Sequence, residues 1–248
     1  MDMKISGSAQ VAAGEYDNIR ISGSGRICGR VRCTSFHCSG SAHGDVLECR
    51  EEFKVSGSCG FDRLTAKGMS VSGSIRCGGD VAVDECFKCS GSADIGGSLK
   101  CGQVSVSGGA SVDGDIEAES VSVKGGIDCK GLINSENITI ELARNMTIGS
   151  IGGSVIDITR RSTDPSGDIE VRFWGVSVHI GGKKAKRNGT LNVKNYIEGD
   201  RINLEWVRAP RVSGRAVVIG EGCEIELVQY SETIEVSPEA KVGRSEKI

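Results

Sequence analysis

Apolar and polar positions alternate along this chain, and the alternation recurs at a nearly constant interval. One wholly apolar column reads Met3, Ile19, Phe36, Phe53, Met69, Phe87, Val104 and Val121. Two residues further on, a second reads Ile5, Ile21, Cys38, Val55, Val71, Cys89, Val106 and Val123. The column between them is polar: Lys4, Arg20, His37, Lys54, Ser70, Lys88, Ser105 and Ser122. Alternation of this kind predicts a strand with one buried face. Each such strand runs into a corner of the type ISGSA (5–9), CSGSA (38–42) or VSGSI (71–75).

The central glycines Gly7, Gly23, Gly40, Gly57, Gly73, Gly91, Gly108 and Gly125 are separated by 16, 17, 17, 16, 18, 17 and 17 residues. A unit of about 17 residues is too short for a helix pair or a propeller blade and suits one coil of a β-solenoid. The predicted fold is all-β, a single-stranded parallel β-helix. Eight coils at about 4.8 Å per coil would make a rod roughly 38 Å long. The corner glycine is expected either to adopt positive φ or to pack where a Cβ has no room. The position two after it is small or apolar: Ala9, Gly25, Ala42, Cys59, Ile75, Ala93, Ala110 and Ile127.

Beyond residue 137 the Ser-Gly signature fades while alternation persists, as in Ile138-Thr139-Ile140-Glu141-Leu142. The rhythm breaks between 160 and 190, where Asp164-Pro165-Ser166-Gly167 signals a turn and Lys183-Lys184-Ala185-Lys186-Arg187 forms a basic run. The chain therefore divides into regular coils at 1–159, an inserted loop or hairpin at 160–190, and less regular coils at 191–248.

Composition supports the solenoid. Among 248 residues there are 36 Gly, 3 Pro and only 4% aromatics, so the core must be built from Val, Ile, Ala and Cys. A net charge of −3 offers no global attraction to nucleic acid or to anionic membranes. Residues 1–6 lack the basic and apolar regions of a secretory signal, and no apolar run is long enough to span a bilayer. The 11 cysteines, an odd number, are then expected to be reduced, buried thiols in a cytoplasmic protein.

Four patterns in the sequence could carry catalytic chemistry. Cys86-Phe87-Lys88-Cys89 has the spacing of a zinc or redox CxxC, but Cys89 falls in an apolar column and no second CxxC accompanies it. The thiols of Cys28, Cys33, Cys38, Cys49, Cys59, Cys77, Cys101 and Cys129 are placed near or on inward columns in the same way. The exposed column Gln10, Arg26, His43, Gly60, Arg76, Asp94, Ser111 and Asp128 contains no carboxylate cluster for glycoside chemistry. His37, His43 and His179 are isolated, and the repeated glycines are not followed by the Lys-Ser/Thr of a phosphate cradle. No catalytic residue, cofactor, metal or nucleotide site is therefore expected.

Binding features remain. Lys4, Arg20, Lys54 and Lys88, with His37, form a basic file on one face, and Lys183, Lys184, Lys186 and Arg187 form a second patch; both are candidate contacts for an anionic partner. Arg208, Arg211 and Arg215 around Trp206 are a further candidate patch. The open edges of the end coils are templates for another chain, and Met3, Ile5 and Val11 of the first coil are the candidate polymer interface.

The chain also resembles the bactofilins, polymer-forming cytoskeletal proteins of bacteria, in the subgroup with a C-terminal extension. The resemblance rests on the apolar-Ser-Gly repeats, on Gly125-Gly126-Ile127 and Gly152-Gly153, and on the segments 197–205 and 217–225. It implies a right-handed β-helix that polymerises without nucleotide and scaffolds cell-envelope or membrane-associated proteins, with peripheral contact to the inner face of the membrane. The expected function is a non-catalytic scaffold assembling end to end. A β-helix enzyme acting on carbohydrate or in acyl transfer, and a monomeric adaptor, are the alternatives.

Overall fold

The computed structural model describes residues 1–160 and 189–248, together with the backbone of 171–173 and 176–178. The described residues contain strands and no helix, and the main sheet is parallel throughout. One file of backbone partners runs through Met3, Ile19, Phe36, Phe53, Met69, Phe87, Val104, Val121, Ile138, Ile156, Ile202, Val217 and Ile234. The fold is a β-solenoid of about 13 turns. At about 4.8 Å per rung this is a rod of roughly 60 Å, longer than the eight signature repeats alone imply.

Each turn contributes to three parallel ladders. The first begins at Met3–Ile5, the second at Ser8–Val11, and the third at 14–16. Inward side chains of the three ladders meet on the axis and are almost all buried. Among them Phe36 and Phe53 stack at 5.0 Å between ring centroids, and Phe61 from the second ladder meets both edge-on. Burying β-branched and small side chains in unbroken files explains how the core does without many aromatics.

The Ser-Gly corner joins the first ladder to the second. At each one, two successive amides of one coil share a carbonyl of the coil before: Ser39 N and Gly40 N both donate to the Ile21 carbonyl, at 2.9 and 3.2 Å. The glycine is required by space. A Cβ on Gly23, Gly40, Gly57, Gly73, Gly91, Gly108 or Gly125 would overlap the backbone of the preceding corner, and none of these residues has positive φ. The corner between the second and third ladders is braced instead by carboxylates. Asp80 accepts from Ser98 N at 2.9 Å and Asp115 from Leu132 N at 2.7 Å.

Repeats of unequal length are accommodated at corners, leaving the ladders in register. The register shifts between Ala66 and Gly68 opposite Val83 and Cys86, so the longest repeat carries its extra residue just before the first ladder. Gly29, at φ 72°, marks another shift, between Ile27 and Arg30.

The ladders also continue past the break in rhythm. Met146 pairs with Leu191 and Ile151 with Ile197, a step of 45 or 46 residues in place of about 17. Residues between 160 and 189 thus occupy the place where other coils have a short corner between the first and second ladders. Within them, Val171–Phe173 and Val176–Val178 pair antiparallel as a separate two-stranded sheet. The main sheet runs on to Lys247.

Candidate functional site: the ends and faces of the rod

The first coil is closed by its own side chains. Ile5 is 3% exposed and Val11 is fully buried, while Met3 is half-buried and only Ala9, of the inward positions on the second ladder, is open. Tyr16 packs against the core at this end. It stands in register with the buried Cys33, and thus occupies an inward position, and its hydroxyl donates to the Ala12 carbonyl at 3.0 Å. The ring therefore runs back past Gly14 toward the corner at Ala12. Met1 is held at the same end, its ammonium 2.6 Å from Asp17. Ile5 and Val11 consequently belong to the core, and of the three candidate interface residues only Met3 reaches the surface.

The last coil is different. Ile234 and Val236 are in register with the buried Val217 and Ile219, yet Val236 is 45% exposed and Ile234 half-buried. Val242 and Ala240 are half-buried, and Ile248 is 67% exposed. Residues 231–248 form the last rung of all three ladders.

The basic file exists as a spatial feature. Lys4, Arg20, His37, Lys54, Ser70 and Lys88 are consecutive backbone partners pointing outward from the first ladder. Glu52 weakens it, lying 2.6 Å from Lys54 and 3.7 Å from His37. Further along, the same file is neutral at Ser105, Ser122 and Thr139, then carries Asp157, and it ends at Glu235. Lys183, Lys184, Lys186 and Arg187 lie outside the described residues, as does His179.

The arginines near Trp206 do not form a patch around it. Arg208 pairs with Glu224 at 3.1 Å, Arg215 with Glu232 at 2.6 Å, and Arg211 lies over the Tyr196 ring. Trp206 is instead covered by Arg160, whose guanidinium carbon is 3.5 Å from the ring centroid. It adopts φ 55°, with its indole donating to Glu221 at 3.3 Å and its ring against Gly222.

Nine of the cysteines are buried, but Cys28 and Cys86 are half-exposed and not on inward columns. The CxxC is thereby split between a surface thiol and a core thiol. Burial pushes Cys89 and Cys129 up to about 11 and Cys77 and Cys101 up to about 12. Cys33 and Cys59 are raised too, first by hydrogen bonding with the neighbouring Cys49 and Cys38 thiols and then by burial. Among the described residues no three His, Cys, Asp or Glu side chains are grouped to hold a metal. His43 faces the Ser41 hydroxyl at 3.4 Å.

Two grooves on the surface of the rod are each lined from several coils. One, of about 1050 Å³, runs past Lys194, Arg208, Glu224 and Lys241. The other, of about 700 Å³, is lined by Asp84, Glu117, Glu119 and Glu136 with Lys100 and Cys101; Lys100 is bound to Glu117 at 2.6 Å. No helix among the described residues is long and apolar enough to cross a membrane.

No family model matches the chain, and no solved structure matches it. Two Bacillus subtilis (strain 168) proteins, the uncharacterized proteins YhbF and YhbE, are similar to parts of it. YhbF is 29% identical over 101 residues, 41% of this chain and 34% of the relative. YhbE is 44% identical over 52 residues, 21% of this chain and 22% of the relative. The similarity thus spans about a third of one relative and about a fifth of the other.

Proposed function

We propose that this chain is a non-catalytic, bactofilin-like scaffold that assembles end to end into nucleotide-independent polymers in the cytoplasm. The supporting observation is that the parallel ladders run unbroken to a last coil whose strands, such as Lys241–Lys247, pair on one side only. Unpaired edge strands are templates for further pairing. At that end Ile234 and Val236 lie in apolar files that are buried elsewhere in the rod. A second copy stacked there would bury them.

Its principal partner on this reading is itself, with cell-envelope or membrane-associated proteins docking along the rod. Nucleic acid and nucleotide have no part in it. The file of Lys4, Arg20, Lys54 and Lys88 supplies the contact for an anionic partner at the inner face of the membrane.

The test is sedimentation and negative-stain microscopy of the purified chain, with and without ATP or GTP. Concentration-dependent oligomers that lengthen into filaments and ignore nucleotide are expected. A chain that stays monomeric at every concentration would overturn the proposal. The carboxylate-lined groove at Asp84, Glu117, Glu119 and Glu136 favours a second reading, an enzyme acting on carbohydrate. Hydrolysis or lysis of an oligosaccharide panel, lost on Glu119→Gln, would support that instead.

A further inference from the structure

The buried thiols are nucleophilic side chains that the proposed scaffold does not use. Several stand alone: the sulfurs of Cys89, Cys129 and Cys223 donate to the carbonyls of Gly109, Gly114 and Leu204. Cys33 differs. Of the eleven cysteines, all within the described residues, it alone has another cysteine, Cys49, as its backbone partner on an adjacent rung. Both stand at inward positions at the end of the third ladder, with 1% and 5% exposure.

The corner beyond them is uneven. Thr34 and Ser35 lead from Cys33 to Phe36, whereas Arg50, Glu51 and Glu52 lead from Cys49 to Phe53, so the register shifts there. The Cys49 sulfur lies in this widened corner, 3.4 Å from the Thr34 carbonyl and 3.2 Å from the Glu52 carbonyl. The next rung places only the small Ala66 in the file. The Cys33 thiol, and then the backbone amides of Glu51 and Phe36, donate toward the Cys49 sulfur and hold its pKa below the ordinary thiol value, against the effect of burial.

Spacing decides what such a pair can do. Neighbours on a ladder lie about 4.8 Å apart. A disulfide needs the Cβ atoms within roughly 3.5–4.5 Å and the sulfurs at about 2 Å, which parallel side chains on adjacent rungs reach only if the backbone moves. Two metal–sulfur bonds of about 2.3 Å each span roughly 4.6 Å, close to the rung spacing. Among the described residues no third His, Cys, Asp or Glu is grouped with the pair, so the tetrahedral set that zinc requires is missing. Soft thiolates in so low a number suit a monovalent soft ion. We infer that Cys33 and Cys49 form a binding site for one copper(I) ion, held between the two sulfurs. The site stands apart from the assembly proposed above.

Binding breaks two S–H bonds, forms two Cu–S bonds and releases two protons, with copper remaining in the +1 state. The complex carries one negative charge, which the Glu51 and Phe36 amides face. Cys49, with its remaining exposure at the corner, gives the ion its way in.

Anaerobic titration with copper(I) against the chelator bicinchoninate tests this. The full chain is used with Cys28→Ser and Cys86→Ser, which remove the two half-exposed thiols. This protein should hold copper(I) against the chelator, and X-ray absorption at one equivalent should report two sulfur neighbours. Cys33→Val and Cys49→Val keep an apolar side chain in the file. Each should hold one equivalent less, its retention weakened more than about a hundredfold, the upper end of what losing a supporting hydrogen bond costs a metal site. Cys129→Val, which removes a buried thiol without a thiol partner, should leave retention unchanged. Circular dichroism shows that the coils persist in each variant. Unchanged retention in folded Cys33→Val and Cys49→Val would overturn the assignment. So would a starting protein that yields all its copper to the chelator, or nitrogen or oxygen neighbours in its absorption spectrum, and neither readout depends on the variants folding.

Discussion

A methyl group on the α-carbon of Gly57 would fall inside the carbonyl oxygen of Gly40, one coil away. The same relationship links each Ser-Gly corner to the one before it, from Gly23 to Gly125. Backbone touches backbone at this edge of the rod, so no rotamer change can make room. Gly57→Ala should therefore separate two coils and cost about 3 kcal/mol or more, at the upper end of overpacking. Gly68, also outside any positive-φ conformation, has nothing within 4 Å of its would-be Cβ. Gly68→Ala should be neutral or slightly stabilising, through loss of unfolded-chain freedom. Urea midpoints of the two variants beside the parent would decide it, and equal losses would contradict the steric account of the repeat.

Inward and outward positions of the first ladder give a second comparison. Val106 is 1% exposed, and its neighbour Ser105 points to solvent. Val106→Asp would strand a carboxylate between Cys89 and Val123, its ladder partners, at a cost of roughly 4 kcal/mol or more. Ser105→Asp should change stability by less than about 0.5 kcal/mol, as surface substitutions do. Thermal melts that shifted alike for both variants would mean the ladder faces are wrongly assigned.

The parts of the fold that were legible in sequence are those fixed by nearest neighbours in a repeat. The columns at Met3 and Ile5, the corner glycines and the break near 160 follow from strand alternation and a constant step, because each coil meets only the coils beside it. Two kinds of feature were hidden. Alternation does not say whether an inward residue of an end coil, such as Ile5 at 3% exposure or Val236 at 45%, is covered. Whether Cys86 points inward depends on the extra residue in its repeat, which turns the chain between Val83 and Cys86. The carboxylate-lined groove was missed for a related reason: Asp84, Glu119 and Glu136 lie at corners, outside the columns that alternation defines.

Thiol accessibility follows from the same geometry. Cys28 and Cys86 are half-exposed and the other nine cysteines are buried. A bulky maleimide added to the native protein should label two thiols quickly and the rest only after denaturation, since burial blocks access and disfavours the thiolate. Mass spectrometry after a short pulse would count them. Rapid modification of most of the eleven would contradict a stacked thiol-rich core.

The raised thiols also predict a dependence of stability on alkaline pH. Cys77 has an ordinary thiol value of 9.0 when exposed, and burial pushes it up to about 12 in the folded chain. Between those values the unfolded chain has lost the Cys77 proton while the folded chain still holds it. The unfolded state then binds fewer protons, so stability falls as pH rises. The contribution of Cys77 is fully present below about pH 9 and is lost as pH climbs toward 12, at about 1.4 kcal/mol per pH unit. Cys101 acts over the same window, and Cys89, Cys129 and Cys223 over a shorter one ending near 11. Lysines and tyrosines titrate in this range too, so the informative quantity is the difference between two proteins that share them. Cys77→Val keeps an apolar side chain of similar size in the file and removes the proton. Between pH 8 and 10.5 the parent should lose about 2 kcal/mol more than Cys77→Val, read from urea midpoints at the two pH values. Parallel pH profiles for the two proteins would show that the Cys77 thiol is not held protonated in the core.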